Sequence, residues 1–377
     1  MEQRRIKVSD VTIGQPLPWD VYDSENQLLL RKGHVVERVQ QVEALMIRGL
    51  FVDTKISPRK DPVQAAPKER PSVVRLISLA HKRLERLLFN VSNEADAQAK
   101  ILEVAQAIAF AADLNSDIAL ACILHNQTAG SYPVRHCIDT AVVSLLIARS
   151  LKKTPDEIKA LIGAALTMNV GMLKQQDRLH DIQGPLSEQD TSFIRNHPQQ
   201  SVTVLRAAGI DNEDWLSYVL MHHENEDGSG YPLGKKGADI PLNAKILSLA
   251  DRYCARVSER NYRKSLLPNA ALRDILVGEK DTMDPMLATI FIKELGVYPT
   301  GTFVRLENGE VGVVTGKGSK TISPIVHALI GPRGAPLSFP IKRDTSKQLF
   351  SIREVLTEDQ ANVRFSMQQV WGNEASL

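Results

Sequence analysis

Three cysteines in 377 residues, Cys122, Cys137 and Cys254, are odd in number and form no CxxC pair, so no disulfide framework is written into the chain. They read as reduced thiols. Excess charge is missing too: 46 Lys and Arg against 44 Asp and Glu leave a net +2, which gives no global field to draw the chain onto nucleic acid. The opening MEQRRIKVSD has none of the apolar core that a signal peptide carries. No uncharged apolar run reaches the length of a membrane span, since the best stretch, residues 101–124, is interrupted by Asp113 and Asp117. These absences predict a cytoplasmic protein with no membrane span and no nucleic-acid partner. What is present is ordinary for a globular protein: 43% hydrophobic and 24% charged residues, in a length that suits two or three domains.

Patterning divides the chain. Residues 1–55 read as a small, β-rich α/β module, in which RIKVSDVTIGQPL alternates, DSENQ turns and QLLLRKGHVV restarts a strand before the helical VERVQQVEALMIRGL. Residues 56–72 hold four prolines with mixed charge and no apolar period, the marks of a linker. From 73 to 295 the period is helical: Ile138, Val142, Leu145, Leu146 and Arg149 fall on one helix face, and Ile101, Val104, Ile108 and Ala112 on another. Residues 296–357 read as a β-rich appendix, with a hairpin signal at Asn308-Gly309 between β-branched runs, and 358–377 as a polar tail.

The most informative segment is HHENEDGSGYP, His222 to Pro232. Histidine is the commonest protein metal ligand, and two adjacent ones followed by a glutamate are a reason to look for a metal. Neighbouring side chains on a helix diverge by about 100°, which suits adjacent ions, or one ion met obliquely, better than a single i, i+4 clamp. His136, His197 and Asp251 stand in the same helical region. His136 opens an amphipathic helix, His197 precedes Pro198 at an expected helix boundary, and Asp251 is a carboxylate in the apolar run KILSLADRYCARV that needs a partner. Singly, each has a bland reading as a core histidine or a salt-bridge partner; His34, His81, His125 and His327 are read that way.

The segment HHENEDGSGYPLGKKGADIPLNAKILSLADRYCARVSERNYRK closely resembles the signature half of the HD-GYP family, bacterial hydrolases of cyclic-di-GMP, and the resemblance extends over roughly residues 115–290. It implies a mainly α fold, an HD-superfamily helical bundle, here with the β-rich N-terminal module and the β-rich C-terminal appendix attached. It implies iron or manganese ions and metal-assisted phosphodiester hydrolysis. Position by position, His136, His197, His222, His223 and Asp251 match metal ligands of the family. Tyr231, Arg260 and Arg263 match positions that contact guanine and phosphate, a job that suits the guanidinium fork. Resemblance further implies that the Gly230-Tyr231-Pro232 loop can meet diguanylate cyclase domains or other signalling proteins.

The family's other half is altered. The His-Asp dyad falls at Met168-Asn169 and the lysine that follows it at Met172, in a register carried by GPLSEQDTSFIRNHP downstream. His180-Asp181 is a decoy twelve residues further on. Asn169 offers one neutral oxygen where a carboxylate would bridge two ions, Met168 a soft thioether ill matched to iron or manganese, and Met172 no cation for phosphate. Cys254 stands in place of the second aspartate of ADxxDA, and reads as a buried structural thiol. Together these changes argue against a full bimetallic centre, while His197, His222 and His223 could still hold one ion. The favoured expectation is a cyclic-di-GMP signalling protein that is catalytically impaired and acts by binding the nucleotide or a partner, with reduced iron or manganese occupancy or none. The alternative is an active phosphodiesterase with an atypical metal site; a weaker third reading is a structural scaffold.

Overall fold

The computed structural model describes residues 11, 14–17, 19–23, 27–36 and 71–377, apart from 127–129, 181, 183, 259–264, 279 and 364, together with the backbone of 3–5 and 51–53. The helix expected over VERVQQVEALMIRGL, most of the 56–72 linker, Arg260, Arg263, Asp181 and the His180 side chain lie outside the described residues. The chain divides once, into a unit over Met1–Glu69 and a unit over Arg70–Leu377.

The first unit carries an antiparallel sheet of β1 (Gln3–Arg5), β2 (Val21–Tyr22), β3 (Leu28–Leu30) and β4 (Phe51–Asp53), in the order β1-β4-β2-β3. Either end of the DSENQ segment joins the other between β2 and β3: the Asp23 N–H donates to the Gln27 carbonyl at 3.0 Å, and the Gln27 N–H donates to the Asp23 carboxylate at 2.9 Å. Val11, Leu17, Trp19, Val21 and Val36 form its small core.

The second unit is built on helices α1 (Val73–Phe89), α2 (Ala97–Leu114), α3 (Ser116–His125), α4 (Tyr132–Ser150), α5 (Pro155–Thr167), α6 (Leu173–His180), α7 (Glu188–Ala207), α8 (Glu213–Met221), α9 (Leu242–Val257), α10 (Pro268–Arg273) and α11 (Pro285–Leu295). Their starts follow from local chemistry. Thr154 and Glu157 close a capping box on α5, the Ser187 hydroxyl accepts from Asp190 N on α7, and the Asn212 amide oxygen accepts from Trp215 N on α8. Helix α4 is the axis of the bundle and packs against α1, α2, α3, α5, α9 and α11. Ile138, Val142 and Leu145 are fully enclosed along it, and Ile101, Val104, Ile108 and Ala112 are buried along α2. The apolar period of 3.6 here reads out burial directly. Among the described residues no single helix is long and apolar enough to cross a membrane.

The helix boundary expected at His197-Pro198 is absent: α7 runs on through Pro198. Proline lacks the N–H that would meet the Ile194 carbonyl four residues back. The His197 ring takes that place, its Nδ1–H donating to Ile194 O at 2.6 Å, so the helix continues without an orphaned acceptor.

The second unit ends in an antiparallel sheet of β5 (Phe303–Leu306), β6 (Val311–Lys320), β7 (Ser323–Ile330), β8 (Pro336–Asp344) and β9 (Ile352–Leu356), ordered β8-β7-β6-β5-β9. The β5–β6 turn sits at Asn308-Gly309, with Gly309 at φ +88°, a conformation that favours glycine. Residues 358–377 are not a loose polar tail. They form α12 (Glu358–Ala361) and α13 (Met367–Trp371), and bring Ala361, Val363, Phe365, Val370 and Trp371 against Phe303, Val311 and Val313. These apolar residues are scattered through a polar sequence, which hid the packing face. The Ser72 hydroxyl donates to the Ser376 carbonyl, tying the last residues to the start of α1. His125 locks sheet to bundle: its Nε2–H donates to Gly301 O at 2.7 Å, and its ring meets Phe303 and Phe365 edge-on at 5.2 and 5.0 Å.

Candidate metal centre

Four helical elements deliver the histidines and the aspartate that the sequence singled out. His197 comes from the middle of α7, and His222 and His223 from the end of α8. His136 comes from the first turns of α4 and Asp251 from the centre of α9. At the C-terminal end of α8 the Val219 carbonyl needs a donor, as helix ends do, and the His222 Nδ1–H supplies it at 2.6 Å. His197 and His222 therefore share one arrangement. A carbonyl can only accept, so Nδ1 carries the proton in both rings and Nε2 is left as a bare lone pair. The two Nε2 atoms face each other at 3.3 Å in a fully buried setting. Two acceptors at that distance call for a shared cation, which is the property of a metal-ligand pair. His223 completes the cluster: one ligand atom from each of the three rings lies within 4.8 Å of the others.

Electrostatics keeps these rings in the neutral form that binds metal. Burial, reinforced by the facing His222, pulls His197 down to about 3. Burial also lowers His222, and burial with the other two imidazoles holds His223 well below its usual range. Burial alone would raise Asp251, but the hydrogen bond and charge of His136 outweigh it and hold the carboxyl ionised, with His136 Nε2 2.6 Å from Asp251 Oδ1.

These groups open onto a cavity of about 260 Å³. Its lining carries His136, His197, His223, Asp251 and Tyr231 together with Asn169, Met172, Gln176, Leu179 and Ile194. The structure thus brings together around one space every described site residue expected from the sequence except His222, which is fully enclosed behind His197. Met168 does not reach the cavity lining. It is wholly buried in the helical core, and only its carbonyl is engaged, accepting from the Ser201 hydroxyl at 2.7 Å. Ser201 in turn accepts from Gly171 N at 3.0 Å. A Cβ at Gly171 would stand 2.5 Å from Ser201 N, so glycine is what lets this turn lie on α7.

Residues 122–287 match the HD domain family. A cyclic di-GMP phosphodiesterase of Pseudomonas aeruginosa is 30% identical over 217 residues, 57% of this chain and 52% of that protein. The cyclic di-GMP phosphodiesterase response regulator RpfG of Xanthomonas campestris is 31% identical over 146 residues, 38% of each chain. Over these residues the chain is similar to the HD domain family and to cyclic di-GMP phosphodiesterases. This chain spans about half or less of the length of the curated relatives it matches. An HDG"Y"P protein from Bdellovibrio bacteriovorus superposes with a TM-score of 0.47 at 15% identity, over 78% of this chain and 99% of that one, a likeness too loose to carry a conclusion.

Within this domain the loop after His223 is held from inside. Glu224 is buried, and its carboxylate accepts from Leu233 N at 2.7 Å and Lys235 N at 2.9 Å. Tyr231 N donates to His223 O at 3.1 Å, and the Tyr231 ring stacks on the His223 imidazole at 4.7 Å. A Cβ at Gly230 would come within 2.5 Å of the His223 carbonyl and the Glu224 Cα, so the loop closes only over glycine. Sequence reasoning named Tyr231 but gave Glu224 no role. The clue available was a carboxylate beside two histidines with unpaired turn amides following it. Gln176 was missed as well; its signal was its place one helical turn after Met172.

Proposed function

We propose that this chain is a cyclic-di-GMP signalling protein of the HD-GYP family, impaired in hydrolysis, that acts by binding the nucleotide or a partner protein. One observation carries the reading: the cavity that His136, His197 and His223 line is also lined by Asn169 and Met172, where the family resemblance calls for a bridging carboxylate and a lysine. His197, His222 and His223 would hold one ion, with iron or manganese implied by the family. Such an ion would supply Lewis acidity toward a phosphate oxygen. What the chain's own residues do is hold imidazole lone pairs in place, keep Asp251 ionised against His136, and present Tyr231 at the mouth. The Gly230-Tyr231-Pro232 loop, fastened by Glu224, is the surface offered to a diguanylate cyclase or another signalling protein.

The alternative, an active phosphodiesterase with an atypical site, draws support from the hydrogen-bonded His136–Asp251 pair lining the same cavity. Measuring bound Fe, Mn and Zn in purified protein, then cyclic-di-GMP turnover with added Mn²⁺ or Fe²⁺, separates the two. We expect no more than one ion per chain and nucleotide binding without turnover. Turnover that disappears in His222→Ala or Asp251→Asn would establish the enzyme instead.

A further inference from the structure

The loop after His223 is also gripped by groups that do not line the cavity. Arg252 follows Asp251 on α9, and one step along a helix turns a side chain by about 100°, so the two meet different neighbours. Asp251 lines the cavity; Arg252 is not among the described residues that do. Its guanidinium donates instead to the Asn225 amide oxygen and, at 3.3 Å, to the Thr282 hydroxyl just ahead of α11. An arginine can only donate, which fixes the Asn225 amide with its oxygen toward Arg252 and its NH2 toward Ser229. Asn225 then passes the hold on: its Nδ2–H donates to the Ser229 hydroxyl at 2.8 Å, two residues before Tyr231. The Thr282 carbonyl takes the Glu226 N–H at 3.1 Å, and Glu226 pairs with Lys245 of α9.

Residues 225–230 are Asn, Glu, Asp, Gly, Ser and Gly, and bring no apolar side chain to any core. Their place is therefore set by hydrogen bonds rather than by packing. A guanidinium fork suits that task, because it is always charged and holds two acceptors in fixed geometry, here one on the loop and one ahead of α11. We propose that Arg252 is the positioning residue of this loop, and that it acts through Asn225 and Ser229 to keep the Tyr231 ring on His223. Arg252 touches the cavity nowhere, so its effect is on the order of the loop and not on the chemistry inside. A loop held in advance loses less freedom when a ligand arrives. The part of the relay in binding rests on the reading that the Tyr231 loop meets the nucleotide; the relay itself does not.

The test is hydrogen exchange of backbone amides in the full chain, set beside calorimetric titration with cyclic di-GMP. Arg252→Gln should speed exchange of the Tyr231 and Leu233 amides by about tenfold or more, and leave those of α4 and α7 within about twofold. Asn225→Ala should do the same, and the double variant no more than either alone, because both break one relay. Arg252→Lys keeps the charge but reaches one acceptor at a time, and should recover part of the protection. Arg256→Gln is the control: Arg256 lies one turn along α9, pairs with Asp274 at 2.7 Å, and its loss should leave the loop amides unchanged. Thr282→Val is the second probe if Arg252→Gln fails to fold, with a rise of about threefold at the same two amides. Loop amides unmoved by Arg252→Gln, a rise shared equally by all helices, or effects of Arg252→Gln and Asn225→Ala that simply add overturn the relay. Cyclic di-GMP affinity should fall about fivefold or more in Arg252→Gln. A loosened loop with unchanged affinity keeps the relay and overturns its part in binding. Wild-type protein that ignores cyclic di-GMP overturns the broader reading, and the exchange rates still decide the relay.

Discussion

Two walls of the cavity, that of the histidines and that of Asn169 and Met172, differ in how their side chains are held. Among the histidines, orientation comes from backbone defects: the proline in α7 and the open end of α8 each leave a carbonyl that fixes an imidazole. Around Asn169 the side chains are held by packing: Met168 is buried in the core, Asn169 is buried beside it, and Met172 and Leu179 line the space with carbon and sulfur. The contrast teaches that one site can hold its side chains in two ways, by backbone acceptors and by the apolar packing that the bundle needs anyway.

The largest effect should come from removing a histidine. His222→Ala is expected to lower metal affinity by two to three orders of magnitude, measured by metal content after dialysis, whereas Asn169→Ala should change it less than threefold; equal losses would erase the difference between the walls. Next is the attempt to rebuild the altered wall. Met168→His with Asn169→Asp should raise metal content, and the structure adds a cost, since a polar ring forced into the space of a fully buried methionine destabilises by about 3 kcal/mol. A double variant that melts as wild type and binds no more metal shows that the dyad register is wrong.

A smaller effect tests the backbone device itself. Pro198→Ala restores a backbone donor to the Ile194 carbonyl, frees the His197 ring to turn, and should weaken metal binding by about tenfold with the helix no less stable. The smallest effect lies far from both walls. His125 is buried at the sheet junction and held down to about 4 from the usual 6.5, so it folds neutral and gains protons on unfolding. Its contribution is therefore complete above pH 6.5 and is lost as pH falls from 6.5 toward 4. His125→Gln should flatten that portion of the melting profile and leave metal binding alone.

The helical bundle was readable because its burial repeats with the helix: the faces through Ile138 and Ile101 are regular and enclosed. The β5–β6 hairpin was readable from Asn308-Gly309, where conformation dictates composition. Pro198 misled for the opposite reason. A local rule ends a helix there, and the side chain of the preceding residue overrides it by supplying the missing donor. The packing of Phe365 and Trp371 was hidden because it depends on residues about 60 positions earlier in the chain, among them Phe303 and Val311. In the site, His136, His197, His223 and Asp251, which the family resemblance singled out, do meet around one cavity. The burial of Met168 could not be foreseen, because neither the sequence nor the register says which way a side chain turns. Nor could the buried amide of Gln176, whose Oε1 is left without a partner by the way α6 packs.

The imidazole in place of a peptide N–H inside α7 has a consequence for how the site fills. His197 keeps its aim through the backbone, so its Nε2 is set toward His222 by the helix itself. An ion bound there would meet a ring already aimed, and less ordering would accompany its binding.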